Sequence, residues 1–192
     1  MRVLDLGCGA GEDLAQWGVT ASDEVTGVDI TNACLLLAKA RFCDRKFVQA
    51  KGESLPFKNE SFERVISAVA LPYMNIPAAL QEIHRVLVPG GHLTLSLHLP
   101  SFTIWELRHC AIPKPIPTLF RLYVIADGIF FHVTGKTVGL PGGRMESFQT
   151  ERGIRIALAR AKFANFEFQR GTGPVWETFS VEARKLEIDR HA

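Results

Sequence analysis

Val3-Leu4-Asp5-Leu6-Gly7-Cys8-Gly9-Ala10-Gly11-Glu12-Asp13 opens the chain and decides its fold. The apolar run Val3, Leu4, Leu6 has the length of a buried strand, and three glycines at alternate positions follow it directly. Leu14, Ala15 and Trp17 then begin an amphipathic stretch. A strand, a glycine turn and a helix in this order let backbone N–H groups approach a bound cofactor closely. A dinucleotide turn, G-x-G-x-x-G, would need its third glycine at the position of Glu12. The chain reads D-x-G-x-G-x-G instead, with Asp5 ahead of the first glycine. A carboxylate there is a poor neighbour for a pyrophosphate and a good acceptor for an ammonium or a hydroxyl. The turn therefore predicts a nucleoside carrying a cationic amino-acid tail.

Further landmarks follow downstream. Val25 to Val28 predicts a second strand ending in Asp29, an acid roughly 20 residues past the turn, which suits a carboxylate gripping two ribose hydroxyls. Next come Phe47-Val48-Gln49-Ala50-Lys51-Gly52-Glu53-Ser54-Leu55-Pro56-Phe57, then Ser61-Phe62-Glu63-Arg64-Val65-Ile66-Ser67, then Ile83-His84-Arg85-Val86-Leu87-Val88-Pro89-Gly90-Gly91. With these segments in this order, residues 1–99 resemble the class I S-adenosylmethionine-dependent methyltransferases, in particular the small-molecule group of the ubiquinone/menaquinone biosynthesis enzymes. A weaker echo covers 148–185. That family commonly reads D-A-E-x-L-P-F after its third strand and R-V-L-x-P-G-G before its fifth.

The resemblance implies S-adenosyl-L-methionine as cofactor and a doubly wound, mostly parallel α/β sheet of seven strands with an antiparallel C-terminal edge strand. It implies that Gly7, Gly9 and Gly11 form the cofactor turn and that Asp5 meets the methionine end. Asp29 and Ile30 would take the ribose and adenine edge, Gly52, Glu53 and Ser54 the adenine, and Ser67 the methionyl region. Two departures stand out. The family's acid after strand three aligns with Lys51, so Glu53 or backbone near Gly52 would replace its adenine contact. Relatives also carry helices ahead of the first strand, whereas only Met1 and Arg2 precede it here, which predicts a more open cofactor pocket unless the insert at 100–147 covers it.

At 192 residues the chain suits one domain with a core of its own, here 1–192 with an apolar insert at about 100–147. A net charge of +2 and no dense Lys/Arg block argue against a nucleic-acid partner. The first apolar run is strand-length and ends in an acid, unlike a signal peptide, so a cytoplasmic location is expected. Cys8, Cys34, Cys43 and Cys110 form no C-x-x-C pair, and His109-Cys110 lacks further ligands, so no metal is expected. Cys8 needs only to be small.

Strands are expected at 2–6, 25–29, 46–50, 63–69 and 92–98, and helices at 12–17, 32–42, 77–87 and 150–162. Thr31 or Asn32 can cap the second helix, and Asn75 with Pro77 can start the third, which Gly90-Gly91 would end. Asn165–Arg170 and Val175–Ala183 predict a closing antiparallel hairpin across Gly171-Thr172-Gly173-Pro174. Between these parts, Pro113, Pro115 and Pro117 predict an extended crossing segment. Residues 119–133 are apolar almost all round and, at that length, too short to span a bilayer. They could be core, a lid over an apolar acceptor, a dimer contact or a membrane-surface contact.

Methyl transfer from a sulfonium is an in-line displacement with a good leaving group, so alignment and exclusion of water are the main demands on the protein. A hydroxyl acceptor would add the need for a general base, for which His98, Tyr73 and His132 are candidates. Each also fits an ordinary structural role. The strand-four exit, Ser67-Ala68-Val69-Ala70-Leu71-Pro72-Tyr73, lacks the Asn/Asp-Pro-Pro-aromatic pattern of amino-directed DNA and protein-glutamine methylases. The expected acceptor is a small apolar or aromatic molecule. A non-catalytic binding protein of this fold, an NAD-dependent oxidoreductase and aminopropyl transfer are the competing readings.

Overall fold

Strand β1 (Arg2–Leu6) is buried on both faces. Val3 packs with Leu14, Val25 and Ile66, while Leu4 and Leu6 join the larger core on the other side. A strand so placed reads as a continuous apolar run, because helices cover both faces of a parallel sheet. The computed structural model describes residues 1–11, 14–112, 114–141, 143–171 and 178–186. The order of elements is β1, β2 (Glu24–Asp29), α1 (Asn32–Arg41), β3 (Lys46–Gln49), β4 (Phe62–Ala68), α2 (Ile76–Val86) and β5 (Leu87–His98). Then follow α3 (Pro100–Glu106), α4 (Pro115–Thr134), α5 (Glu151–Arg160), β6 (Phe163–Arg170) and β7 (Thr178–Lys185). One seven-stranded sheet has the order β3-β2-β1-β4-β5-β7-β6. Strands β1 to β5 pair in parallel, and β7 runs antiparallel to both β5 and β6. The doubly wound, mostly parallel architecture is the one expected. Val175 to Glu177, the 172–174 link and Glu12 and Asp13 lie outside the described residues.

Helix α2 shows how local chemistry sets an element. The Asn75 side chain accepts from Ala78 N at 3.2 Å, Pro77 occupies the first turn, and Ile76, Ala79, Leu80, Ile83 and Val86 are buried at helical spacing. Two motifs of the sequence meet on this helix. Arg85 Nη2 donates to Leu55 O at 2.9 Å and Nη1 to Phe57 O at 2.7 Å, while Glu82 accepts from Arg85 Nε at 2.7 Å and from Leu55 N at 2.8 Å. Arg85→Met, which keeps the stem but strands these acceptors, should cost about 2 kcal/mol in urea denaturation. The Arg85 hydrogen bond, with help from Leu55 N–H, holds the Glu82 carboxyl below the usual carboxylate range. That part of the stability is present above the unfolded carboxylate pKa and is lost as pH falls through the folded one, so the variant's acid limb should be flatter.

Five expectations are corrected. Gly90-Gly91 do not end α2: the helix stops at Val86, Leu87 is already extended, and β5 begins there. The Pro89-Gly90-Gly91 stretch becomes an irregularity in the β4–β5 register, between Phe62↔Leu87 and Arg64↔His92. The helix expected at 12–17 is, within the described residues, one 3-10 turn over Leu14–Trp17, closed by Gly18 N to Ala15 O at 2.9 Å. Thr31 takes the cap position of α1, but its side chain makes no capping bond. Pro113 lies outside the described residues, and among those described the expected crossing segment is helix instead: Pro115 and Pro117 sit in the first turn of α4, whose N–H groups have no intrahelical acceptor, so proline there loses nothing. With that start α4 reaches 20 residues, long and apolar enough by length and composition to cross a membrane, which reverses the length argument made for 119–133. Its inner side is packed: Phe131 is fully buried, and an added Cβ on Gly128 would lie 2.3 Å from Phe148 Cδ1.

Candidate functional site

A cavity of about 340 Å³ lies at the carboxyl ends of β1 and β2, faced by the exits of β3 and β4. This is the point where the chain order turns from β2-β1 one way to β4-β5 the other, the place where open α/β sheets bind ligands. Gly7, Asp29, Ile30, Gly52, Glu53 and Tyr73 all line it.

The glycine turn is shaped for close approach. Gly7 has φ of 78°, and an added Cβ would lie 2.1 Å from Ala70 Cβ. Its N–H and that of Cys8 both donate to Val28 O, at 2.7 and 3.0 Å, which draws the turn over the end of β2. Across the cavity a Cβ on Gly52 would lie 2.5 Å from Met74 Sδ, so a larger residue there would have to push the Met74 side chain aside. Asp29 ties the two sides together: Oδ2 accepts from Gly9 N at 2.9 Å and Oδ1 from Thr31 N at 2.8 Å. Each oxygen keeps a further lone pair, so the carboxylate can still accept from hydroxyls in the cavity it lines. Ile30 is an exposed apolar side chain on the same rim.

The remaining expected cofactor residues are arranged differently. Asp5 is buried beneath the turn, and Gly9, Gly11 and Ser54 do not line the cavity. Glu53 is on the wall, but its Oε1 accepts from Asn75 N at 2.7 Å and so holds the start of α2. Lys51 also lines the cavity, at the position where the family has its acid. Ser67 is fully buried on β4 with an Oγ that makes no hydrogen bond, an orphan polar atom behind the site. Cys8 is no nucleophile: burial pushes its thiol up to about 12, aided by the Asp5 and Asp29 carboxylates. Among the described residues no cluster of His, Cys, Asp or Glu could hold a metal ion.

The three base candidates separate. His98 and Tyr73 share a second, smaller cavity of about 20 Å³, room for roughly one water, walled by Phe102, Phe148 and Gln149. Tyr73 borders both cavities and stands between them. Burial and then the Glu146 and Glu106 carboxylates raise its phenol, so at neutral pH it is a hydrogen-bond donor. His98 stacks on Phe102 with ring centroids 4.3 Å apart, its Nδ1 is buried without a partner, and burial lowers its pKa. It is therefore neutral at pH 7 and able to accept a proton. His132 lies away from both cavities, its Nδ1 2.9 Å from Thr150 Oγ1, the oxygen that caps α5. The structure gives it a structural role.

Several site features escaped the sequence. Arg121 pairs with Glu106 at 2.7 Å and with Glu146, and both acids line the second cavity. Gln149 is fully buried there, with an unpartnered Oε1. Val69, at the exit of β4 beside the Ala70 that packs on Gly7, holds φ of 59°, a strained state for a β-branched residue. Gly143, from the loop after α4, completes the rim of the larger cavity, so the insert supplies part of its cover.

Comparison with known proteins places this geometry. Residues 4–95 match the family described as "Methyltransferase domain". The chain is 44% identical over 108 residues to an uncharacterised methyltransferase of Synechocystis sp., covering 52% of this chain and 49% of that protein. It is 36% identical over 103 residues to the ubiquinone/menaquinone biosynthesis C-methyltransferase UbiE of Coxiella burnetii, covering 49% of this chain and 41% of that one. The chain thus spans about half the length, or less, of the curated relatives it matches. Among solved structures, a SAM-dependent methyltransferase of Methanosarcina mazei superposes with a TM-score of 0.64 at 23% identity, over 97% of this chain and 93% of that one. One from Mesorhizobium loti gives 0.64 at 22%, over 95% and 90%. These two share the fold. Through its N-terminal half, with its glycine turn and its Asp29 clasp, the chain is similar to S-adenosylmethionine-dependent methyltransferases, and it shares their fold.

Proposed function

We propose that the chain binds S-adenosylmethionine in the larger cavity and methylates a small apolar or aromatic acceptor that enters beside Tyr73 and His98, where the cavity of about 20 Å³ must widen to admit it. The observation that carries this reading is a cavity of about 340 Å³ whose wall needs glycine at 7 and which the Asp29 carboxylate lines. That volume lies within the range of small-molecule sites. The bound cofactor supplies an activated methyl group. Asp29 would accept from its ribose hydroxyls, Ile30 would cover its adenine edge, and the turn at Gly7 would let its backbone come close.

On the acceptor side, Phe102, Phe148 and Pro72 present apolar surface. A relative named for C-methylation in ubiquinone/menaquinone biosynthesis favours carbon as the methylated atom. Tyr73 would donate a hydrogen bond to an acceptor oxygen, and neutral His98 would take the proton that a hydroxylated ring releases. His98→Ala should lower turnover of such acceptors by roughly 100-fold or more and leave S-adenosylhomocysteine affinity unchanged by calorimetry. Because burial lowers the His98 pKa, activity should hold at neutral pH and fall only as pH drops through that lowered value. An activity profile insensitive to His98→Ala would remove His98 from the reaction. A chain that binds the cofactor but methylates nothing in a panel of phenols and quinols would point to the non-catalytic binding protein.

A further inference from the structure

Helix α4 is packed inside out. Its ionic groups point into the protein: Arg121 pairs with Glu106 and Glu146, and buried Asp127 accepts from Val138 N at 2.7 Å. The opposite face is apolar along its whole length, from Ile116 at 81% exposed and Leu119 at 71% through Leu122 and Ile129 to Val133. Steps of three and four residues put these side chains on one stripe. Ahead of the helix, Ile104, Trp105 and Ile112 are exposed as well. A continuous apolar face of this kind marks a docking site.

We infer that this face docks on a bilayer containing anionic lipid, with α4 lying in the interface. The charge pattern selects the occupant. From Leu99 to Gln149 the acids are Glu106, Asp127 and Glu146, and none of them is exposed. The exposed charges there are all basic: Arg108, Lys114, Lys136 and Arg144. Lys114 and Lys136 flank the two ends of α4. A second copy of the same face would bring bases against bases, whereas anionic headgroups complement them. Exposed Trp105 is the residue type that settles at the headgroup level. Crossing the membrane would pull apart the Arg121 pairs and strip Asp127 of its partner in a medium that offers no replacement, so the helix lies on the surface.

The position of the face links it to the site. Helix α3 turns Phe102, Thr103 and Glu106 into the second cavity and Ile104 and Trp105 outward. If the proposed acceptor reading holds, an apolar molecule dissolved in the bilayer would meet the docked surface next to that cavity. Docking itself does not depend on that reading: vesicle binding tests the surface alone, and S-adenosylhomocysteine calorimetry tests the site alone.

The test is co-sedimentation of the full chain with vesicles of phosphatidylcholine alone and of phosphatidylcholine with phosphatidylglycerol in equal parts. The chain should bind the anionic vesicles, and binding should weaken as salt rises. Leu119→Glu and, separately, Leu122→Glu should each reduce it at least about ten-fold. Both positions are exposed, so denaturation midpoints should not move. Lys114→Glu combined with Lys136→Glu should abolish the preference for anionic vesicles. Failure to bind either vesicle overturns the inference, as does binding that both Leu variants retain. So does a chain that light scattering finds dimeric and that Leu119→Glu makes monomeric without changing lipid binding, since the face would then belong to a second copy.

Discussion

Replacing Asp29 by alanine is expected to weaken S-adenosylhomocysteine binding by roughly 10- to 100-fold in calorimetry. The carboxylate lines the cavity and at the same time receives Gly9 N at 2.9 Å and Thr31 N at 2.8 Å. A hydrogen bond to a charged group is worth about 1.5–3 kcal/mol, so loss of one ribose contact alone reaches this range. The structure adds a second effect that sequence spacing did not show. Without Asp29 the glycine turn and the start of α1 lose their common anchor, so stability should fall as well, by about 1–3 kcal/mol. Asp29→Asn separates charge from shape. Its amide has one oxygen for two backbone donors, and its NH2 must face one of those N–H groups, so it should behave nearly as badly as alanine. Unchanged affinity in either variant would take Asp29 out of the ribose site.

Phe131→Ala should be the most damaging single truncation in the insert, at about 3–5 kcal/mol in urea denaturation. Phe131 is fully buried, and Gly153 of α5 is small to receive it: an added Cβ there would lie 2.7 Å from the Phe131 ring. Truncation leaves a void between two helices that cannot close on each other. Its neighbour Phe130 is 40% exposed, so Phe130→Ala should cost at most about 1 kcal/mol. The contrast tests the orientation of α4. Equal losses at both positions would mean that the helix is rotated and that the outward apolar stripe does not exist.

Much of the cofactor half was legible because it is written in local spacing. Alternating glycines after a short apolar run, an acid at the end of the next strand and Asn75 before Pro77 each express a short-range constraint. A strand must end, a turn must reverse, and a helix must be capped. The insert was less legible because the same residues carry two meanings. Prolines at 115 and 117 argue against helix in an interior turn and favour one in a first turn, and only the position of Lys114 as cap distinguishes the two. Apolar character all round 119–133 did not say which side faces the protein, since the deciding partners are Glu106, Glu146, Val138 and Gly153.

The sequence by itself determined the doubly wound sheet, the glycine turn and the end of the sheet where a ligand sits, because periodicity and strand-to-turn spacing act over a few residues. Only the tertiary structure decided that Tyr73 stands between two cavities, that His98 joins it while His132 pairs with the Thr150 hydroxyl that caps α5, and that the Val69 backbone is strained. It also decided that Arg121 draws two distant acids inward and leaves α4 with an apolar outer face. Those outcomes depend on which side chains come within hydrogen-bonding or van der Waals reach once the sheet has closed, and that distance is not a function of separation along the chain.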